Sequence, residues 1–184
     1  MIIQLPLGNV PVVQSYVNRM RAQGAPSHPV LTELRRDVFR GGSVWVLLHA
    51  DTVISINCTR IGKRKKNVWE PYGNWYGAYT MPGYRRQGFA TELYAHVEPL
   101  LVAAGCRRIR SLAGSSAGLA LHHSLRHACW GKTENSEVWV DSALPGHEGS
   151  YVDLGAPPQA PGELLSNSEV KQLIKEGLRY DAQA

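Results

Sequence analysis

The sequence predicts an α/β fold: a mixed, mostly antiparallel sheet flanked by helices, with a C-terminal linker and short helix. Three observations carry this. Strand-like runs arrive first as a hairpin meander and later alternate with helical stretches. The apolar spacing switches between two and three-to-four residues at glycine and proline punctuation. The 184 residues, 43% hydrophobic and 19% charged, suit an ordinary globular chain rather than a disordered one. Residues 1–144 form the expected domain, and 145–184 a Pro/Gly-rich linker with an amphipathic helix.

Met1 to Leu7 reads as a strand. Val10 to Ala22 carries apolar residues at 10, 13, 17 and 20 and reads as a helix, ended by Gly24 and Pro26. Pro29 to Arg40 reads as a second helix, closed by Gly41 and Gly42. Ser43–Leu48 and Thr52–Cys58 form a hairpin around His49-Ala50-Asp51. A basic loop follows, then strand chemistry from Asn74 to Met81. Pro82 to Gly88 is a turn opening a helix from Phe89 toward Ala104, in which Pro99 should impose a kink or a stop. Arg107–Leu112 is a strand, Ser115–Ala128 a helix and Val138–Val140 a last strand. Beyond the prolines at 157, 158 and 161, Ser166 and Glu169 form a capping box. Val170, Leu173, Ile174 and Leu178 then make one apolar stripe, expected to dock on its own domain, with a partner or a homodimer contact as the alternative.

No apolar run approaches the ~18–20 residues of a membrane span, and the N-terminus has no basic leader, so neither a membrane nor a secretory route is expected. The three cysteines, Cys58, Cys106 and Cys129, are odd in number and widely spaced, which fits a reducing cytoplasm and neither disulfides nor zinc. The net charge of +5 favours an anionic partner without naming it.

The chemistry concentrates in Arg85-Arg86-Gln87-Gly88-Phe89-Ala90, between a strand and a helix. Such a turn leaves backbone N–H groups unpaired at a helix N-terminus, where the dipole favours negative charge. Glycine admits close approach of an anion, Thr91 adds a hydroxyl, and Arg85 or Arg86 adds charge, so a diphosphate is the natural ligand. No GK[ST] follows, which excludes a Walker loop, and the second glycine of a dinucleotide fold is missing.

The stretch from Tyr79 to Leu93 resembles the core motif of the GCN5-related N-acetyltransferase (GNAT) superfamily, with Met81 at the apolar strand position and Ala90 at the last small position. The likeness spans roughly residues 1–144 and is strongest over 74–112. It implies acetyl-CoA or another acyl-CoA as co-substrate and transfer to a primary amine. It places the pyrophosphate on the amides of Arg86, Gln87, Gly88 and Ala90, with Thr91 nearby. The backbone of Tyr79 and Met81 would hold the pantetheine arm or polarise the thioester carbonyl.

An amine of pKa about 10.4 needs a base, and the leaving thiolate benefits from an acid. The resemblance implies a tyrosine acid on the helix after the next strand, but residues 115–130 hold none; His122 stands near its place and is the candidate. His123 and His127 read as a solvated pair on the opposite face, and no metal site is expected. Glu70, just upstream of the motif strand, is the candidate base.

Arg60, Lys63, Arg64, Lys65 and Lys66 place five cations in seven residues ahead of Trp69, Tyr72, Trp75 and Tyr76. Phosphate contact with base stacking would suit a nucleic acid, but a solvated hairpin loop followed by ordinary core aromatics is the expected reading. The acceptor is therefore expected to be a small-molecule or protein amine, with nucleic-acid modification or non-catalytic acyl-CoA binding as alternatives.

Overall fold

The computed structural model describes residues 1–5, 10–25, 42–62, 72–147, 163–178 and 181. The helix expected at 29–40, Lys63 to Lys66, Trp69, Glu70 and the linker at 157–161 lie outside the described residues. The strands are β1 (Ile2–Leu5), β2 (Ser43–His49), β3 (Thr52–Gly62), β4 (Tyr72–Thr80), β5 (Arg108–Ala113), β6 (Cys129–Lys132) and β7 (Val138–Ala143). The helices are α1 (Val10–Ala22), α2 (Phe89–Ala103), α3 (Ser116–Ser124) and α4 (Asn167–Glu176). The seven strands run in the order β1-β2-β3-β4-β5-β7-β6. Pairings β1–β2, β2–β3, β5–β7 and β6–β7 are antiparallel, and β4–β5 is parallel.

The chain divides into two compact units. The first comprises Met1–Ile61 and Trp75–Leu100. In α1, Val13, Val17 and Met20 return at helical spacing and are buried. They join Val44, Val46, Val53, Ile56, Cys58, Tyr79 and Met81 in one core. Each such side chain stabilises by about 1.5–3 kcal/mol through loss of apolar surface to water. Pro11 is tolerated because the first turn of a helix needs no amide donor. In the β2–β3 hairpin, Val46 pairs with Ile56, Ala50 takes φ 49 at the turn, and a bulge falls between Leu47 and Leu48. Trp45 donates from Nε1 to Thr59 Oγ1 at 2.9 Å, which satisfies a buried indole. Trp75 meets Tyr94 of α2 edge-on at 5.0 Å. α2 runs as one helix through Pro99, where a kink or stop was expected. Pro99 has no N–H to give the Ala95 carbonyl, and both residues are exposed, where water can serve that carbonyl.

The second unit comprises Gly62–Asn74 and Leu101–Ala184. Here Asp141 of β7 pairs with Arg110 of β5 in register. Its two oxygens lie 2.7 Å from Arg110 Nε and 2.7 Å from Arg108 Nε. The alternate basic positions of β5 thus share one buried carboxylate. Trp130 adds a further hydrogen bond, donating from Nε1 to Asp141 O at 3.0 Å.

The tail folds back within this unit. Leu165 donates its N–H to Cys129 O, and Leu164 bridges Trp130, so the segment covers the edge of β6. α4 opens on the capping box of Ser166 and Glu169. Val170 and Leu178 are buried with Ala113, Leu119, Cys129, Val138 and Val140, so the stripe docks on its own chain. Asp181 accepts from Ser116 N at 2.9 Å, Ser116 Oγ at 2.6 Å and Leu178 N at 2.7 Å. Among the described residues no helix is long and apolar enough to cross a membrane.

Candidate functional site

The motif loop belongs wholly to the first unit. β4 ends at Thr80, and Met81 gives its N–H to Ile54 O of β3 at 2.9 Å. Tyr84 and Arg85 close a tight turn by donating to Met81 O and Pro82 O. Past that point the amides have no acceptor. Among the described residues, the N–H groups of Arg86, Gln87, Gly88, Phe89, Ala90 and Thr91 have no partner, and bonding resumes with Glu92 N to Gly88 O at 2.8 Å. Three of these amides belong to the first turn of α2, where intrahelical partners do not exist.

The backbone shape is set by two left-handed residues, Arg86 at φ 61 and Gly88 at φ 86. Alternating handedness turns successive N–H groups into one concavity, an anion nest. A Cβ built on Gly88 would meet nothing within 4 Å, so open space lies beside this residue. Tyr84 and Phe89 meet edge-on at 6.0 Å and hold the two ends of the loop together. Gln87 folds its Nε2 onto Gly83 O at 3.0 Å.

Arg85 and Arg86 differ. Arg85 donates from Nε to Thr80 O at 3.1 Å, and its guanidinium lies 5.6 Å from the centroid of the Tyr79 ring. Burial pushes the Tyr79 phenol above its ordinary value, against the pull of Arg85. Arg86 is exposed.

The strand residues expected to hold pantetheine are differently engaged. Met81 has its N–H on Ile54 O and its carbonyl on Tyr84 N, and Tyr79 O accepts from Ser55 Oγ at 3.1 Å. In a strand, successive peptides point to opposite edges, so the N–H of Thr80 faces away from β3. The β4–β5 register covers only Tyr72 to Asn74 on that edge.

His122 lies in the second unit. The helix expected to reach Ala128 stops at Ser124, because Arg126 takes φ 59 and His127 N reaches back to His122 O. This is a Schellman end, which sets the second residue past the cap against the third before it. Both are histidines here, and their Nδ1 atoms lie 2.9 Å apart. His127 therefore sits beside His122, not on an opposite face with His123. His122 is only 3% exposed. Burial, then the neighbouring His127, lowers its pKa to about 3, and burial lowers His127 to about 4. At neutral pH the pair is two neutral imidazoles sharing one Nδ1 proton.

The structure thus brings Tyr79, Met81, Arg85, Arg86, Gln87, Gly88, Ala90 and Thr91 together in one unit, and places His122 in the other. The β6 strand, the His127 contact and the Asp181 cap escaped the sequence; Asp181 meets Ser116 across 65 residues, with no local signal. Among the described residues no three His, Cys, Asp or Glu side chains could hold a metal.

The acetyltransferase (GNAT) family matches residues 16–127, more than half of the chain. The chain belongs to the GNAT acetyltransferase family. A comparison with curated proteins found no match. Among solved structures, it is similar to Arabidopsis thaliana NAA60 in complex with acetyl-CoA, with TM-score 0.59 and 12% identity over 79% of this chain and 100% of that one. An aminoglycoside 6′-N-acetyltransferase complexed with coenzyme A gives TM-score 0.59 and 9% identity, over 78% and 97%. A predicted acetyltransferase from Clostridium acetobutylicum, with acetyl-CoA, gives 0.52 and 15%, over 73% and 91%. At these identities the likeness shows the GNAT fold, a mixed sheet flanked by helices.

Proposed function

We propose that this GNAT chain transfers an acetyl group from acetyl-CoA to a primary amine of a small molecule or protein. The observation that carries it is the unbroken run of partnerless amides from Arg86 to Thr91 around an open Gly88. Six unpaired donors leading into a helix N-terminus fit the diphosphate of an acyl-CoA. Solved members of the fold bound to acetyl-CoA or CoA support the same donor.

Arg86, Gln87, Gly88, Ala90 and Thr91 hold the diphosphate. The pantetheine arm runs along the edge of β4, where the Thr80 amide replaces Met81 as donor because Met81 is already bonded to β3. Glu70 is the proposed base, ahead of β4. His122 remains the proposed residue for the leaving thiol, but a pKa near 3 leaves it no proton to store at neutral pH. It would act as a neutral hydrogen-bond donor. His122→Gln should then lower kcat with donor Kd unchanged; wild-type turnover removes it from the reaction.

Calorimetry with coenzyme A tests the donor site. Gly88→Val forces a branched side chain into φ 86 and should weaken binding about five- to thirtyfold, from a strain of roughly 1–2 kcal/mol. Unchanged affinity refutes the nest. Thiol release from acetyl-CoA across amines, with mass spectrometry of the products, tests transfer. Binding without release would make the chain an acyl-CoA binder, and acetylated nucleic acid would redirect the acceptor to Arg60 and the basic run after it.

A further inference from the structure

The motif arginines divide their work. We infer that Arg85 is a positioning residue that fixes the shape of the anion nest through the end of β4, and that Arg86 supplies the loop's charge to the bound anion. The inference rests on the acyl-CoA reading for its ligand, though not for its geometry.

The Thr80–Met81 peptide is anchored from both sides. Its N–H, from Met81, bonds Ile54 O at 2.9 Å, and its carbonyl, from Thr80, accepts Arg85 Nε at 3.1 Å. The two groups of one trans peptide point in opposite directions. Arg85 therefore holds the strand end from the edge opposite β3, the edge that the Thr80 N–H also faces. The planar guanidinium also lies by the Tyr79 ring, 5.6 Å from its centroid. Tyr79 belongs to the core that α1 covers. Arg85 thus ties the turn to a rigid element, and the turn's two closing bonds, Tyr84 N to Met81 O and Arg85 N to Pro82 O, sit inside that tie.

A lysine cannot reproduce this. It keeps the charge but has neither the Nε–H in a planar fork nor the flat face that stacks on tyrosine. Arg86, in contrast, is exposed at φ 61, on the lip of the nest. A left-handed backbone is costly for a residue that carries a Cβ, and the charge Arg86 carries stands on the same loop as six unpaired amides.

The experiment compares Arg85→Lys, Arg85→Met and Arg86→Ala with the wild type, by calorimetry with coenzyme A at low and high sodium chloride and by amide hydrogen exchange without ligand. Both Arg85 variants should weaken coenzyme A about five- to tenfold, the scale of one hydrogen bond with a cation–π contact, and keep the wild-type salt dependence. Both should also speed exchange at Met81 and Tyr84. Arg86→Ala should flatten the salt dependence, because a direct charge pair is what salt screens. Full rescue by Arg85→Lys, or a flattened salt response in Arg85→Met, would show Arg85 acting as a charge and overturn the proposal. Unchanged exchange in both Arg85 variants would overturn it as well, whatever the ligand does. Should the wild type fail to bind coenzyme A, the acyl-CoA reading falls, and exchange alone decides the positioning role.

Discussion

Acidification should strike this protein at the paired imidazoles of His122 and His127. Their pKa values are about 3 and about 4 in the fold, against 6.5 for the free side chain. Between those limits the unfolded chain binds more protons than the native one, so stability falls as pH drops below 6.5. Each pH unit inside the window costs about 1.4 kcal/mol per histidine, so going from about pH 6.5 to about pH 5 costs roughly 2 kcal/mol for each. The two are in contact and share a proton, so about 2–4 kcal/mol brackets the pair. Urea unfolding followed by tryptophan fluorescence at stepped pH measures it. The double variant His122→Leu/His127→Leu supplies the apolar contact that a Schellman end commonly carries, and should lose this pH slope. His127→Leu alone strands a buried Nδ1 and should cost about 1–3 kcal/mol at neutral pH. An identical slope in the wild type and the double variant between about pH 6.5 and pH 5 would refute the buried-neutral pair.

Other outcomes follow from the same structure. Asp181→Asn removes an ionised acceptor from the N-terminus of α3. Burial raises the Asp181 carboxyl, but the bonds from Ser116 and Leu178 outweigh it and hold the group below its ordinary value. The substitution should cost about 1 kcal/mol in urea, the scale of a helix cap, and a wild-type midpoint would show the cap idle. Asp141→Asn leaves Arg108 and Arg110 without their shared charge and should cost about 3–5 kcal/mol; a loss below about 1 kcal/mol would contradict the buried ion cluster. Arg126→Gly relieves a left-handed backbone at φ 59 and should raise the melting temperature by the equivalent of about 1 kcal/mol; a lowered value would place the strain elsewhere.

Much of the fold was legible where the signal is local. The spacing of Val13, Val17 and Met20 gives α1, the alternation of Val44 and Val46 gives β2, and Ser166 with Glu169 gives the start of α4. These follow from side-chain period and capping, which a few neighbouring residues decide. The run of unpaired amides was legible for the same reason: one glycine after a strand, followed by a helix start, dictates which amides lack partners. Helix α3 was read too long, because Leu125 and Ala128 continue its apolar spacing while the left-handed turn at Arg126, an arginine and not a glycine, carries no sequence signal. β6 was missed because four residues containing Gly131 do not reach the length of a readable strand.

Sequence by itself determined most of the described elements, the family motif and the strand-to-helix turn at Gly88, since each rests on residues adjacent in the chain. Only the tertiary structure decided that Met81 gives its amide to Ile54, that Arg85 is tied to Thr80, that His122 faces His127, and that Asp181 caps α3. Those outcomes depend on which strand edge, helix end or tail a group meets after folding. A hydrogen bond is chosen by position in space, and sequence separation does not encode it.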